Sequence, residues 1–215
     1  MAYSERMDSF LKAYPALLPA GYEIIRAYGE LQKTYDAGGK VLACGNGGSA
    51  ADCEHIVGEL MKGFELKRPL PAETVLKFSS QPHGDKIASS LQGALPAISL
   101  VSQSGLISAF ANDVDPDLVY AQQVLGYGRE GDALLALSTS GNSKNVFYAA
   151  ETAKALGLTV IAITGSEGGF LSRIADVCIN LPADKPKDVQ ELTLPVYHFL
   201  CLALEKYYFD SESII

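Results

Sequence analysis

The fold is decided by the stretch Lys40-Val41-Leu42-Ala43-Cys44-Gly45-Asn46-Gly47-Gly48-Ser49-Ala50-Ala51-Asp52-Cys53-Glu54-His55-Ile56-Val57-Gly58-Glu59. Residues 40–43 form an apolar run that predicts a buried strand. A glycine-rich turn follows, and Ser49 stands where we expect the N-cap of a long helix. A strand, a tight glycine turn and a helix N-terminus point several unpaired backbone N–H groups at one place, which suits an anion.

One turn further into that predicted helix, His55 and Glu59 are four residues apart, so both side chains leave the same face. As a surface contact, such a pair stabilises a helix by only about 0.2–0.5 kcal/mol. The neighbouring glycine turn favours a site instead, because the pair faces the same crevice as the anion. Imidazole and carboxylate groups also suit zinc or another borderline divalent ion.

A second strand-to-helix junction has the sequence Ser138-Thr139-Ser140-Gly141-Asn142-Ser143, between an apolar strand at 132–137 and a helix at 144–156. Caps and turn formers explain one or two such hydroxyl residues. Four hydroxyls in six residues, in a chain that already has a similar junction, favour a phosphate cradle. The turn is neither a Walker loop nor a dinucleotide fingerprint, because both of those motifs are absent.

The rest of the chain alternates strands with helices. Further strands are predicted at 97–101, 158–165 and 176–181, and a long helix at 186–209 carries Gln190 and His198. This alternation predicts an α/β fold of three layers, with a five-stranded parallel sheet covered by helices on both faces. In such sheets ligands bind at the carboxyl ends of the strands, where both glycine-rich turns lie.

Two segments outside this alternation carry separate predictions. Residues 1–37 form an N-terminal helical extension, broken at Pro15 and Pro19, whose apolar faces pack either in an oligomer or over one edge of the sheet. Residues 73–78 are predicted as a strand or an ordered loop, and 84–95 as a short helix.

Composition narrows the class of protein. The 215 residues fit a single domain, and 25 acidic against 17 basic residues give a net charge of −8, which argues against a nucleic-acid partner. No run approaches the roughly 20 apolar residues of a membrane span. The acidic N-terminus lacks the pattern of a secretory signal, so we expect a cytoplasmic protein with no membrane partner.

Taken together, the glycine turn with His55 and Glu59, the hydroxyl turn, and Gln190-Glu191 with His198 resemble the sugar isomerase (SIS) domain, and within it the phosphoheptose isomerase family. The resemblance spans about 22–209. It implies a homotetramer with active sites at subunit interfaces and one zinc ion (Zn²⁺) per subunit, surrounded by His55, Glu59, Gln190 and His198. Residues 72–95 form an insertion that is longer than the family leads one to expect.

The resemblance also implies a substrate and a reaction. The sugar phosphate is expected to bind Asn46, Gly47, Gly48, Ser49, Glu59, Asn112, Asp113, Ser138, Thr139, Ser140, Ser143 and Gln190. The expected reaction converts sedoheptulose 7-phosphate into D-glycero-D-manno-heptose 7-phosphate through a cis-enediol, with Glu59 as base and His198 as acid. Two alternatives remain: a non-catalytic SIS module that binds a sugar phosphate or a protein partner (replication-initiator-binding type), and an isomerase for another sugar phosphate.

The spacing of Gln190 and His198 sets a geometric condition. Eight residues span about 12 Å along a straight helix, so both side chains cannot reach one ion from a regular helix. Either Pro195 distorts the helix, or the two residues serve sites in different subunits. We favour the second hypothesis.

Overall fold

The computed structural model describes residues 3–210, which form a five-stranded parallel sheet between two layers of helices. The strands are β1 (Val41–Cys44), β2 (Ala97–Ser99), β3 (Ala133–Ser138), β4 (Thr159–Thr164) and β5 (Val177–Asn180), in the spatial order β2-β1-β3-β4-β5. Val41 lies opposite Ala97 on one side and Ala133 on the other, which sets the register of the central strand. The predicted fold class is confirmed.

The helices of the described residues are α1 (Tyr3–Ala13), α2 (Gly21–Asp36), α3 (Gly48–Met61), α4 (Ala72–Lys77), α5 (Gly84–Ser90), α6 (Ser104–Asp113), α7 (Val119–Tyr127), α8 (Lys144–Ala155) and α9 (Pro186–Phe209). Short 3₁₀ segments occupy Pro15–Ala20, Pro116–Leu118 and Leu171–Arg173. Helices α1, α2, α3 and α9 cover one face of the sheet, and α6, α7 and α8 cover the other. No helix in this part of the chain combines the length and apolar character needed to cross a bilayer.

Strand β1 illustrates why these residues form a central strand. Val41 and Ala43 point into the core beneath α3 and α9, whereas Leu42 and Cys44 point into the core beneath α7 and α8. All four side chains are fully buried. A strand covered on both faces needs apolar residues at every position, and the sequence supplies them.

Of the two N-terminal helices, α2 packs at the edge strand β5 within the chain itself. The predicted break between them is confirmed, because Pro15–Ala20 forms a 3₁₀ segment that separates α1 from α2. Helix α2 then lies against β5 and α9. Leu18, Tyr22 and Ile25 remain 60%, 71% and 42% exposed, so packing in an oligomer stays a prediction that these side chains support.

Part of the segment 72–95 differs from its predicted secondary structure. Residues 72–77 form the helix α4 rather than a strand or a loop, because Ala72, Glu73, Leu76 and Lys77 favour a helix and this segment joins no strand of the sheet. Helix α5 is confirmed but ends at Ser90. Leu76 is 70% exposed on α4, so this segment adds little to the core.

Candidate active site

Helices α3 and α9 build one wall of the site by running side by side in the same direction. Gly48 at the start of α3 lies beside Gln190, and one to two turns later His55 lies beside Tyr197 and His198. A Cβ atom at position 48 would lie 2.6 Å from Nε2 of Gln190, so only glycine allows this approach. The geometry explains one of the glycines that mark the motif.

The glycine turn itself begins α3 two residues earlier than predicted. Gly47, with φ at +57°, is the N-cap, and Gly48 is the first helical residue. The prediction that Ser49 caps the helix is therefore wrong, because the left-handed turn that starts the helix needs glycine at the cap. Ser49 is buried against Gly45, and its backbone N–H donates to the carbonyl of Asn46 at 3.1 Å.

His55 and Glu59 interact directly, as their spacing predicts. Nε2 of His55 lies 3.1 Å from Oε1 of Glu59, and Nζ of Lys62 donates to the other carboxylate oxygen at 3.1 Å. Nδ1 of His55 lies 2.9 Å from the hydroxyl of Tyr197, which is also 3.3 Å from Oδ1 of Asp52. Burial raises the pKa of Asp52, although the bond from Tyr197 and the nearby His55 oppose the shift.

His198 completes this cluster from the same chain. Its ring packs edge-on against His55 and Tyr197, with centroid distances of 5.0 and 4.9 Å. The ring of Phe64 is tilted against it at 5.3 Å. Burial, together with the neighbouring His55, lowers the pKa of His198 and favours the neutral imidazole. Its Nε2 is buried and finds no hydrogen-bond partner among the described residues. Such an atom is rare in folded proteins and indicates a place for a ligand.

The expected metal ligands are thus brought together only in part. His55, Glu59 and His198 of one chain lie together, whereas Gln190 lies near the start of α3. Within residues 3–210, no three His, Cys, Asp or Glu side chains are grouped so as to hold a metal ion. The hypothesis that Gln190 and His198 serve different subunits concerns a neighbouring chain and stays a prediction.

The hydroxyl turn lies at the carboxyl end of β3, where the sequence places it. Ser138 and Ser143 join through their hydroxyl groups at 3.1 Å, and the N–H of Asn142 donates to Oγ of Ser140 at 3.2 Å. Gly141 has φ at +67° and lies against the backbone of Gly168. Ser143 is the N-cap of α8 but makes no side-chain capping bond.

A cleft of about 260 Å³ opens beside this turn. It is lined by Thr139, Ser140, Asn142, Gly165, Ser166, Glu167, Ala183 and Asp184. The cleft therefore lies at the carboxyl ends of β3, β4 and β5, as expected for an open α/β sheet. Ser166 donates to the carboxylate of Asp184 at the same edge.

The two turns are joined by contacts that the sequence did not predict. The amides of Asn46 and Asn145 pair reciprocally, with nitrogen-to-oxygen distances of 2.8 and 3.0 Å. The hydroxyl of Tyr120 donates to the carbonyl of Gly45 at 2.7 Å. Asn145 lies two residues past the hydroxyl turn, so the run of polar residues there was the signal that could have identified it.

Asn112 and Asp113 lie apart from these contacts, at the C-terminal end of α6. Nδ2 of Asn112 donates to Oδ1 of Asp113 at 2.8 Å, and the pair is exposed. No hydrogen bond or ion pair found among the described residues joins them to either turn. The segment after them comes near the start of α8, where Nζ of Lys144 lies 3.8 Å from a carboxylate oxygen of Asp117.

Known proteins resemble this chain in sequence over most of its length. A family model for the SIS domain matches residues 20–99 and 88–165. A phosphoheptose isomerase of Rhodospirillum rubrum is 37% identical over 182 residues, which cover 85% of this chain and 84% of the relative.

Two solved structures resemble the whole fold. The phosphoheptose isomerase of Francisella tularensis superimposes with a TM-score of 0.74 at 28% identity, covering 96% of this chain and 100% of the other. That of Neisseria gonorrhoeae gives a TM-score of 0.69 at 29% identity and 94% coverage of both chains. The chain belongs to the SIS-domain family of phosphoheptose isomerases.

Proposed function

We propose that this chain is an aldose–ketose isomerase that converts sedoheptulose 7-phosphate into D-glycero-D-manno-heptose 7-phosphate. The observation that carries the proposal is the cluster of Glu59, His55 and His198, which lies on the second half of α3 and the facing part of α9. A base and an imidazole on rigid helices, along a wall that begins at a glycine turn, suit proton transfer on a phosphorylated substrate.

Glu59 is the proposed base. The proton that leaves C1 of the ketose goes to its carboxylate and returns to C2, through a cis-enediol, while a second proton passes between the two sugar oxygens. Nζ of Lys62 donates to one carboxylate oxygen at 3.1 Å and so helps to fix the orientation of the group that accepts the proton. Glu59 itself is only 8% exposed, so little water competes for the proton.

His198 is the proposed acid at the sugar oxygens. Because its pKa is lowered by burial, the ring is neutral near pH 7 and offers one N–H and one lone pair. A neutral imidazole can polarise a carbonyl and shuttle a proton between neighbouring oxygens of an enediol.

The hydroxyl turn is proposed to hold the phosphate, with binding contributions from Ser138, Thr139, Ser140 and Ser143. The N-terminus of α8 adds backbone N–H groups and the positive end of a helix dipole. Binding energy from the phosphate, remote from the reacting carbons, fixes the sugar chain along Asn46–Ser49. The proposed roles of Asn112 and Asp113 rest on the resemblance alone.

A zinc ion is proposed to bind His55, Glu59, Gln190 and His198 contributed by more than one subunit, because the His, Cys, Asp and Glu side chains within residues 3–210 of a single chain are not grouped so as to hold an ion. The donor types suit zinc, and the unpartnered Nε2 of His198 is the observation that supports a bound ligand there. When bound, the ion supplies Lewis-acid polarisation of the substrate carbonyl. The protein is also proposed to be cytoplasmic and to form a homotetramer. The exposed apolar side chains of the N-terminal helices support the assembly into an oligomer.

The decisive experiment is an isomerase assay on a panel of ketose phosphates, with and without a chelator. Sedoheptulose 7-phosphate is expected to be turned over, and Glu59→Gln is expected to abolish turnover while leaving sugar-phosphate binding measurable. Retained activity in that variant removes Glu59 from the role of base. No turnover of any sugar phosphate by the wild type favours the non-catalytic module.

A second candidate function is isomerisation of a different sugar phosphate. The insertion 72–95 returns to the loop that follows Glu59, because Oε1 of Gln92 accepts from the N–H of Gly63 at 2.7 Å. The N–H of Gly93 also donates to the carbonyl of Arg68 at 2.7 Å. An insertion anchored beside the base can change the substrate preference, and the same panel tests it.

A further inference from the structure

A buried ion pair lies behind the proposed base. Arg68 and Glu205 are 1% and 0% exposed, and Nε of Arg68 donates to Oε1 of Glu205 at 2.8 Å. The carboxylate also accepts from the backbone N–H groups of Phe64, Glu65 and Leu66, at 2.7, 2.8 and 3.1 Å. Burial alone would raise the pKa of Glu205, but these bonds together hold it below its ordinary value.

The other two nitrogens of Arg68 hold the end of α3. Nη1 donates to the carbonyl of Leu60 at 2.7 Å, and Nη2 donates to the carbonyl of Glu59 at 2.9 Å. Helix α3 has no glycine C-cap and no basic residue in its last turn, and its C-cap Lys62 is extended. The last carbonyls of a helix have no hydrogen-bond donors within the helix. Arg68 supplies two donors from outside it.

This arrangement bears directly on the candidate site. Glu59 lies in the last turn of α3, which frays when its carbonyls are not capped. Phe64, whose N–H is held by Glu205, packs its ring against His198. The same ion pair therefore holds the backbone of the base and one neighbour of the imidazole.

We propose that Arg68 and Glu205 are positioning residues that keep the last turn of α3 wound and so hold the Glu59 carboxylate toward His55 and His198. The role rests on the proposed function of Glu59. Stability alone does not require these residues, because an apolar pair of similar volume often replaces a buried ion pair without loss. An apolar pair cannot donate to the carbonyls of Glu59 and Leu60, and this difference separates the two roles.

The test compares Arg68→Lys and the double variant Arg68→Met/Glu205→Met with the wild type, and uses Lys33→Met on the exposed face of α2 as a control that removes an ion pair elsewhere. For folded variants, kcat is expected to fall by about 10²-fold, because a displacement of about 1 Å costs that much. KM for the sugar phosphate is expected to stay near its wild-type value, since the phosphate binds the hydroxyl turn.

Hydrogen exchange of the wild type supplies a readout that depends neither on activity nor on whether a variant folds. In the wild type, amides 59–62 are expected to exchange as slowly as those in the middle of α3, and in Arg68→Lys they are expected to exchange faster. Rapid exchange of these amides in the wild type overturns the proposal. So does a folded double variant with wild-type kcat. If the wild type turns over no sugar phosphate, the proposed function fails, while the exchange result still decides whether Arg68 holds the helix end.

Discussion

Replacing Gly48 by alanine tests whether Gln190 acts in the site. A Cβ atom at this position would lie 2.6 Å from Nε2, 2.8 Å from Cδ and 2.9 Å from Oε1 of Gln190. These distances are shorter than any normal contact, so the amide has to move. Gly48 begins α3 with a φ that other residues accept, so the helix itself is expected to form.

The effect on stability is expected to be small. Alanine in place of a helical glycine stabilises a protein by about 0.5–1 kcal/mol. Forcing a glutamine side chain off its preferred rotamer costs about 0.5–1.5 kcal/mol. The two terms nearly cancel, so the melting temperature of Gly48→Ala is expected to stay close to that of the wild type.

The effect on turnover is expected to be large. A displaced Gln190 no longer occupies the place at the start of α3 where the sugar is proposed to bind, and misplacement by about 1 Å costs about 10²-fold. Turnover is measured by NMR in D₂O, where the isomerase exchanges the C1 and C2 protons for deuterium. Isothermal titration calorimetry with zinc measures whether Gln190 also contributes to metal affinity.

Gly58→Ala is the matched control on the same helix. No atom lies within 4 Å of a Cβ built at this position, so the substitution fits without moving a neighbour. It is expected to stabilise the protein by about 1 kcal/mol, or roughly 2–4 °C, with turnover unchanged. If Gly48→Ala turns over substrate as fast as Gly58→Ala, the reasoning that places Gln190 in the site is refuted.

Three other predictions follow from single contacts. Tyr197→Phe removes the hydroxyl that orients His55, so kcat in steady-state assays is expected to fall about tenfold while the fold is kept. An unchanged kcat excludes a role of this hydroxyl in orienting His55. Asn145→Ala breaks the amide pair with Asn46, so KM for the sugar phosphate is expected to rise more than kcat falls, and the reverse pattern contradicts it. The lowered pKa of Glu205 means that its stabilisation is complete above its ordinary pKa of 4.5 and is lost as pH falls toward the folded-state pKa. Urea unfolding should therefore show the difference between wild type and Glu205→Gln shrinking below pH 4.5, whereas a constant difference rejects this account.

Sequence alone determined the architecture because its signals are local. Apolar runs bounded by glycine turns predict buried strands, and the broken helical pattern at Pro15 and Pro19 predicts two helices. The spacing of His55 and Glu59 also predicts their contact, since two residues that are four positions apart on a helix lie on the same face. These features depend on a few neighbouring residues, so they can be read without the fold.

Local signals also explain the errors. Ser49 satisfies the statistical pattern of an N-cap, but the positive-φ turn at Gly47 moved the helix start by two residues. Residues 73–78 contain both strand and helix formers, and no neighbouring strand is present to hold them in an extended form. Propensity is a weak prior that tertiary context overrides.

Tertiary structure decided what surrounds Glu59. Tyr197 reaches His55 across 142 positions of sequence, and Arg68 meets Glu205 across 137. No periodicity predicts such pairs, because they depend on how α9 lies along α3. That placement follows from burying the apolar faces of both helices on the sheet, a property of the whole core rather than of any one segment. The sequence determined the turns and the position of the proposed base, and the packing of two helices determined the side chains that surround it.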